Sequence, residues 1–173
     1  MLKAIQFASK QEKLSVEIFK EINAQMDSGK LGQPEYPVRL RQNVEISVGD
    51  YISPVTVTEA MVQREIDSVV HTDIASGWEL YAKLAKLQAF DNGNKRTALI
   101  AANLLTGALN KSINKYLIIP TDFRRSQFDT SLIYYYVAYE WDDHLPWDDH
   151  LPNVEESLQL FGKFVTEISL SQK

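Results

Sequence analysis

The chain has 173 residues, is 45% hydrophobic, and carries a formal charge of −5 from 18 basic and 23 acidic residues. That length and apolar content suffice for a sizeable core, and residues 1–173 read as a single domain. The basic residues are scattered rather than gathered into a stripe, which argues against a nucleic-acid partner, and the absence of cysteine removes disulfides and thiolate metal sites.

Residues 1–7 lack the long apolar core of a signal peptide and no run approaches membrane length, so the expectation is a cytoplasmic protein with no membrane partner. Between residues 10 and 26, Leu14, Ile18, Phe19, Ile22 and Met26 recur at three- and four-residue steps. This predicts an amphipathic helix ending near Asp27-Ser28-Gly29. Gly32, Pro34 and Pro37 then interrupt regular structure and lead into Val38-Arg39-Leu40-Arg41.

Asn43-Val44-Glu45-Ile46-Ser47 alternates apolar with polar, Val48-Gly49-Asp50 supplies turn residues, and Tyr51-Ile52-Ser53-Pro54 follows. A β-hairpin is expected over about 43–55, the one convincing strand signal in the chain. Two strands alone are marginal in water, so the hairpin must rest on helices. It either closes off the core or holds an extended peptide along its free edge.

Thr56 or Thr58 is expected to cap a helix running through Met61 and Ile66 to Val69 and Val70. His71-Thr72-Asp73 ends that helix and starts the next, which carries Trp78, Leu80, Leu84 and Leu87. His71 has too few neighbours of ligand type for a metal site and reads as a helix-terminal histidine. A second apolar helix, Ala98-Leu99-Ile100-Ala101-Ala102-Asn103-Leu104-Leu105, ends near Thr106-Gly107 or Asn110. An extended apolar segment over 115–120 stops at Pro120, and a short helix begins at Thr121-Asp122-Phe123-Arg124-Arg125. The helix after it holds Phe128, Leu132, Ile133, Tyr135, Tyr136 and Tyr139. The hexapeptide Trp141-Asp142-Asp143-His144-Leu145-Pro146 repeats unchanged over 147–152; a local duplication lengthening a loop explains it more simply than a metal site. A final helix over about 153–168 would bury Leu158, Phe161, Val165 and Ile168. The predicted fold class is all-α, a helical bundle with one small β-hairpin.

The two apolar helices flank Gln88-Ala89-Phe90-Asp91-Asn92-Gly93-Asn94-Lys95-Arg96-Thr97. A helix start leaves backbone N–H groups unpaired and carries a positive partial charge, so a polar turn at this place suits a phosphate. Lys95 and Arg96 add full charges, and a guanidinium can grip a phosphate through two parallel hydrogen bonds. The plain alternative is a polar loop between helices.

The string from Phe90 to Thr97 resembles the signature of the Fic/Doc (Fido) family, and its ending Asn94-Lys95-Arg96-Thr97 is similar to the Doc branch. The resemblance covers roughly residues 14–164, although only the ten residues 88–97 are specific. It implies a helical bundle with residues 43–55 as its flap. Members of this family transfer AMP from ATP to a protein hydroxyl, and the Doc branch acts as a kinase on a translation factor. Carried over by position, Phe90 anchors the loop in the core, Gly93 and Asn94 shape an anion nest, and Lys95 and Arg96 contact the phosphates of ATP. The 43–55 hairpin would dock a protein acceptor. No Glu has Ser or Thr four places earlier, as the family's self-inhibitory pattern requires; an active enzyme would then need a separate antitoxin-like inhibitor as a partner, whereas an inactive one would need none.

Two positions depart. Gln88 stands at the place of the family's general-base histidine, and an amide has no titrating group near neutral pH. Asn92 stands where the family has the acid that holds Mg²⁺, and an amide oxygen is a weaker ligand without charge. The later arginine of the longer Fic form falls on Leu99. Three readings follow: a pseudoenzyme that retains a nucleotide-binding loop, an active AMP- or phosphotransferase such as the toxin of a toxin–antitoxin pair, and a non-catalytic helical interaction module.

Overall fold

A computed structural model describes residues 1–26, 38–110, 116–138 and 154–171. The described residues form seven helices and a two-stranded hairpin, as an all-α fold with one hairpin requires. No helix among them is long and apolar enough to cross a membrane. The expected helix end at Asp27-Ser28-Gly29, the breaks at Gly32, Pro34 and Pro37, Lys115, Tyr139, and the repeated hexapeptide over 141–152 lie outside the described residues.

The chain divides into two compact units, Met1–Ile46 with Ile52–Leu117, and Ser47–Tyr51 with Ile118–Lys173. The first unit holds α1 (Leu2–Ala8), α2 (Val16–Ala24), α3 (Glu59–Asp67), α4 (Ile74–Leu87) and α5 (Asn94–Leu105). The sequence gives little sign of α1, whose buried positions are only Ala4 and Ala8, four residues apart and both small. The next helix begins at Val16 rather than near residue 10, because the Ser15 side chain accepts the Ile18 N–H at 3.3 Å and caps the first turn. Its buried face is Val16, Phe19, Ile22 and Asn23.

Thr58 rather than Thr56 caps α3, accepting the Met61 N–H. That helix stops at Asp67 instead of reaching Val70, which is 82% exposed. The α4 helix starts where expected: the Asp73 carboxylate accepts the Ser76 N–H at 2.8 Å. It packs against α5 as the central helix pair of this unit. Gly77 permits a close approach, since a Cβ there would lie 2.5 Å from Thr106 Cγ2 and 2.8 Å from Leu117 Cδ1. Asn103 then fastens the extended segment after α5. Its amide donates to Leu117 O at 3.1 Å and accepts the Leu117 N–H at 2.8 Å.

The hairpin strands are β1 (Ser47–Val48) and β2 (Tyr51–Ile52), joined by Gly49-Asp50. Gly49 has φ +59°. A positive φ at the first of two central residues suits glycine and matches the right-handed twist of the strands. The ladder continues below the strands, from Ser53 N–H to Ile46 O and from Val44 N–H to Val55 O.

The second unit pairs α6 (Arg124–Val137) with α7 (Val154–Ser171). One helix, α6, replaces the expected short helix and its successor; the Asp122 carboxylate accepts the Arg124 N–H at 3.1 Å and marks the start. Phe128 and Phe161 meet edge to face at 5.4 Å, with Leu132 and Val165 also buried. Leu158 is half-buried, and Ser157 takes a buried position instead.

The cap of α4 has a pH consequence. The Ser76 N–H holds the Asp73 carboxyl below its ordinary value, with the Ser76 side chain adding to this. The native state therefore gains stability above the unfolded carboxyl pKa, about 4, and loses it as the pH falls through the lowered native value. Asp73→Asn, which keeps an amide oxygen for the cap but does not titrate, should flatten the acid limb of a urea-midpoint profile. An unchanged acid limb would show that Asp73 contributes nothing to it.

Candidate functional site: the turn that opens α5

The turn between α4 and α5 is built by side-chain amides. The α4 helix ends on Gln88, which adopts the left-handed conformation (φ +48°, ψ +51°). A non-glycine residue there is uncommon and needs its surroundings to hold it. The surroundings do so: Gln88 is only 5% exposed. Its Nε2 donates to Ala85 O at 2.7 Å, and its Oε1 accepts from Asn94 Nδ2 at 3.0 Å.

Asn94, the first residue of α5, is the centre of the turn. Its Oδ1 accepts the Phe90 N–H at 2.8 Å, while its Nδ2 donates to Phe90 O at 2.7 Å as well as to Gln88. One buried amide thus satisfies both backbone groups of Phe90 and closes a ring from residue 90 to residue 94. Phe90 itself is buried against Phe19, ring centroids 5.0 Å apart.

Two residues that carried no weight in the sequence brace the turn. Asn23 on α2 is buried; its Nδ2 donates to Asn92 O at 3.0 Å and to Thr97 Oγ1 at 2.9 Å. A polar residue four places after Phe19 on the apolar face of α2 was the available signal, since a buried amide needs partners. Arg41 is 1% exposed, and its Nε donates to Gln88 O at 2.8 Å. Nothing local to Arg41 announces that partner, 47 residues away.

Gly93 caps α5 with φ +78°, a conformation suited to glycine, and gives no side-chain cap. Its N–H is already taken by Asn92 Oδ1 at 2.7 Å, so it is not among the groups offered outward. Asn94 likewise turns its side chain inward. What the turn presents to solvent is the first turn of α5 with Arg96 exposed, Lys95 half-buried, and Asp91 and Asn92 exposed beside them. The candidate residues therefore separate. Gln88, Phe90 and Asn94 form the buried frame, and Lys95 and Arg96 stand on its outer side.

Beyond the exposed Asp91 carboxylate, the turn offers only a weak donor to a resident Mg²⁺. That ion favours carboxylates in octahedral geometry, whereas Asn92 offers an uncharged oxygen already accepting the Gly93 N–H. Among the described residues no group of three or more His, Asp or Glu gathers as a metal-ligand cluster. No group at the Gln88 position titrates to serve as a base. The arrangement can hold an anion at a helix start with two adjacent cations, and it can keep that start rigid.

No family model matches the chain, and no curated protein matches it at a significant level.

Asn94→Ala would strand the buried Phe90 N–H and C=O and the Gln88 side-chain oxygen. Each unsatisfied buried group costs about 1–3 kcal/mol. The variant should lose at least about 2 kcal/mol of unfolding free energy in urea, and a loss within error of zero would show that the ring at residues 90–94 is not structural.

Proposed function

We propose that this chain is a Fic/Doc-like protein that binds the phosphates of a nucleotide, ATP in the first instance, at the turn opening α5, and that it transfers poorly or not at all. The observation that carries this reading is the Gln88 amide, buried and hydrogen-bonded at both ends to Ala85 and Asn94. At the position where the resemblance calls for a general base, the side chain has become part of the frame. A missing base typically costs on the order of 10²–10⁴ in rate. The retained part is the helix start with Lys95 and Arg96, whose chemistry suits phosphate.

On this reading the protein works in the cytoplasm, and a protein partner meets the 43–55 hairpin. Its hold on Mg²⁺ through Asn92 would be weak, because the amide oxygen is uncharged and already accepts the Gly93 N–H. Calorimetric titration with ATP tests the assignment. The unmodified chain should bind, and Arg96→Ala should bind at least about tenfold more weakly, as expected for loss of a charge-assisted contact. Equal affinity in the two proteins would overturn the phosphate site at this turn, and no heat at millimolar ATP would overturn nucleotide binding and leave a helical interaction module.

A further inference from the structure

Arg41 lies between the base of the hairpin, at residues 44 and 53–55, and the α4–α5 turn, and it is bonded to both. Its backbone N–H donates to Ala89 O at 2.9 Å, and its backbone O accepts the Val57 N–H at 3.1 Å. Its side chain fans out from the same point. Nε reaches Gln88 O at 2.8 Å. One terminal nitrogen donates to Val44 O and to Val55 O, and the other to Ser53 Oγ at 3.0 Å and Pro54 O at 2.6 Å. Two consecutive carbonyls just before Phe90 and four acceptors at the base of the hairpin thus converge on one buried residue.

We infer that Arg41 is a coupling residue, through which the hairpin base and the α4–α5 turn order and loosen together. The planar guanidinium is what makes this possible. Its N–H groups point in fixed directions, so a shift of the hairpin carbonyls relocates the whole fork, and with it the donor held by Gln88 O. Gln88 is the point where such a shift has most effect, because its left-handed backbone is held only by its neighbours, and its side chain shares the Asn94 amide with Phe90. The path from hairpin to turn is therefore Val44, Ser53 and Val55 to Arg41, then Gln88, Asn94 and Phe90, with a hydrogen bond at each step among the residues named. The coupling stands without a ligand. On the reading proposed above, a nucleotide phosphate that stiffens the turn would also stiffen the hairpin, and by reciprocity a partner on the hairpin would favour nucleotide binding.

Amide hydrogen exchange on the full chain tests this without any ligand, so its outcome is separate from that of the nucleotide titration. Val44 and Ser53 N–H report the hairpin base, Phe90 N–H reports the turn, and the amides of α4 report opening of the helical core. Gly49→Val perturbs the hairpin at its far end, where a positive φ strains any side chain and nothing lies within 4 Å to clash. The expected result is faster exchange at Val44 and Ser53 and also at Phe90, by about fivefold or more, with α4 unchanged. Arg41→Lys keeps the charge and the stem but loses the fork; it should accelerate both reporters alone and abolish the response of Phe90 to Gly49→Val. Ser53→Ala, a milder change that removes one acceptor from the same guanidinium, should accelerate Phe90 in the same direction. Acceleration confined to Val44 and Ser53, or shared equally by α4, would overturn the inference. The first result means the two segments move independently, and the second that they open only with the core.

Discussion

The constraint on which the candidate site depends is the burial of the Arg41 side chain among backbone acceptors. A guanidinium taken out of water must have its N–H groups satisfied, and a desolvated cation left unsatisfied would cost several kcal/mol. The described partners of Arg41 include the carbonyls of Gln88, Val44, Pro54 and Val55 and the hydroxyl of Ser53. That requirement fixes where the hairpin base lies with respect to the end of α4. It also helps to hold Gln88 in a left-handed backbone that its own side chain would not favour. The same logic recurs with uncharged groups in this unit. Asn94 closes the turn around Phe90, Asn103 fastens Leu117, and Asn23 bridges Asn92 and Thr97. The irregular segments beside α2, α4 and α5 are held by buried side-chain amides rather than by further strands. Such contacts specify geometry at the cost of tolerating little substitution.

This arrangement changes how residues 88–97 are understood. Gln88 and Asn92 were of interest as substitutes for a base and a metal ligand. Both use their side chains on the turn itself, Gln88 on Ala85 and Asn94, and Asn92 on Gly93. A left-handed residue at the end of one helix and a glycine with φ +78° at the start of the next reverse the chain within a few residues. The outcome is a firm helix start with Lys95 and Arg96 on its outer side. On the proposed reading, firmness of this kind would favour binding, because less ordering would be left to be done when an anion arrives.

The parts of the fold legible in the sequence were those set by local chemistry. Thr56 or Thr58 and the stretch His71-Thr72-Asp73 announced helix starts, of which Thr58 and Asp73 supply the caps; Val48-Gly49-Asp50 announced the hairpin turn, and Leu80, Leu84 and Leu87 announced a helix face by their spacing. Phe90, which the resemblance makes an anchor, is buried against Phe19. What escaped depended on partners distant in sequence or on small residues. The α1 helix buries two alanines, which make almost no periodic signal. Arg41 drew no reading of its own, since its side-chain acceptors lie up to 47 residues away. Asn94 was expected to serve an anion with its backbone; that its side chain would be claimed by Phe90 and Gln88 follows only once the turn is closed.

On the proposed reading, the side chains at positions 88 and 92 serve the turn rather than a reaction, while the cationic helix start is retained. A transfer assay with labelled ATP and a protein-hydroxyl acceptor mixture, comparing the unmodified chain with Gln88→His/Asn92→Asp, addresses it most directly. The unmodified chain should transfer little or no label, and supplying a base and a carboxylate should raise transfer about 10²-fold or more. Transfer by the unmodified chain at a rate that the double change does not raise would contradict that reading, because Gln88 and Asn92 would then be no obstacle to the reaction.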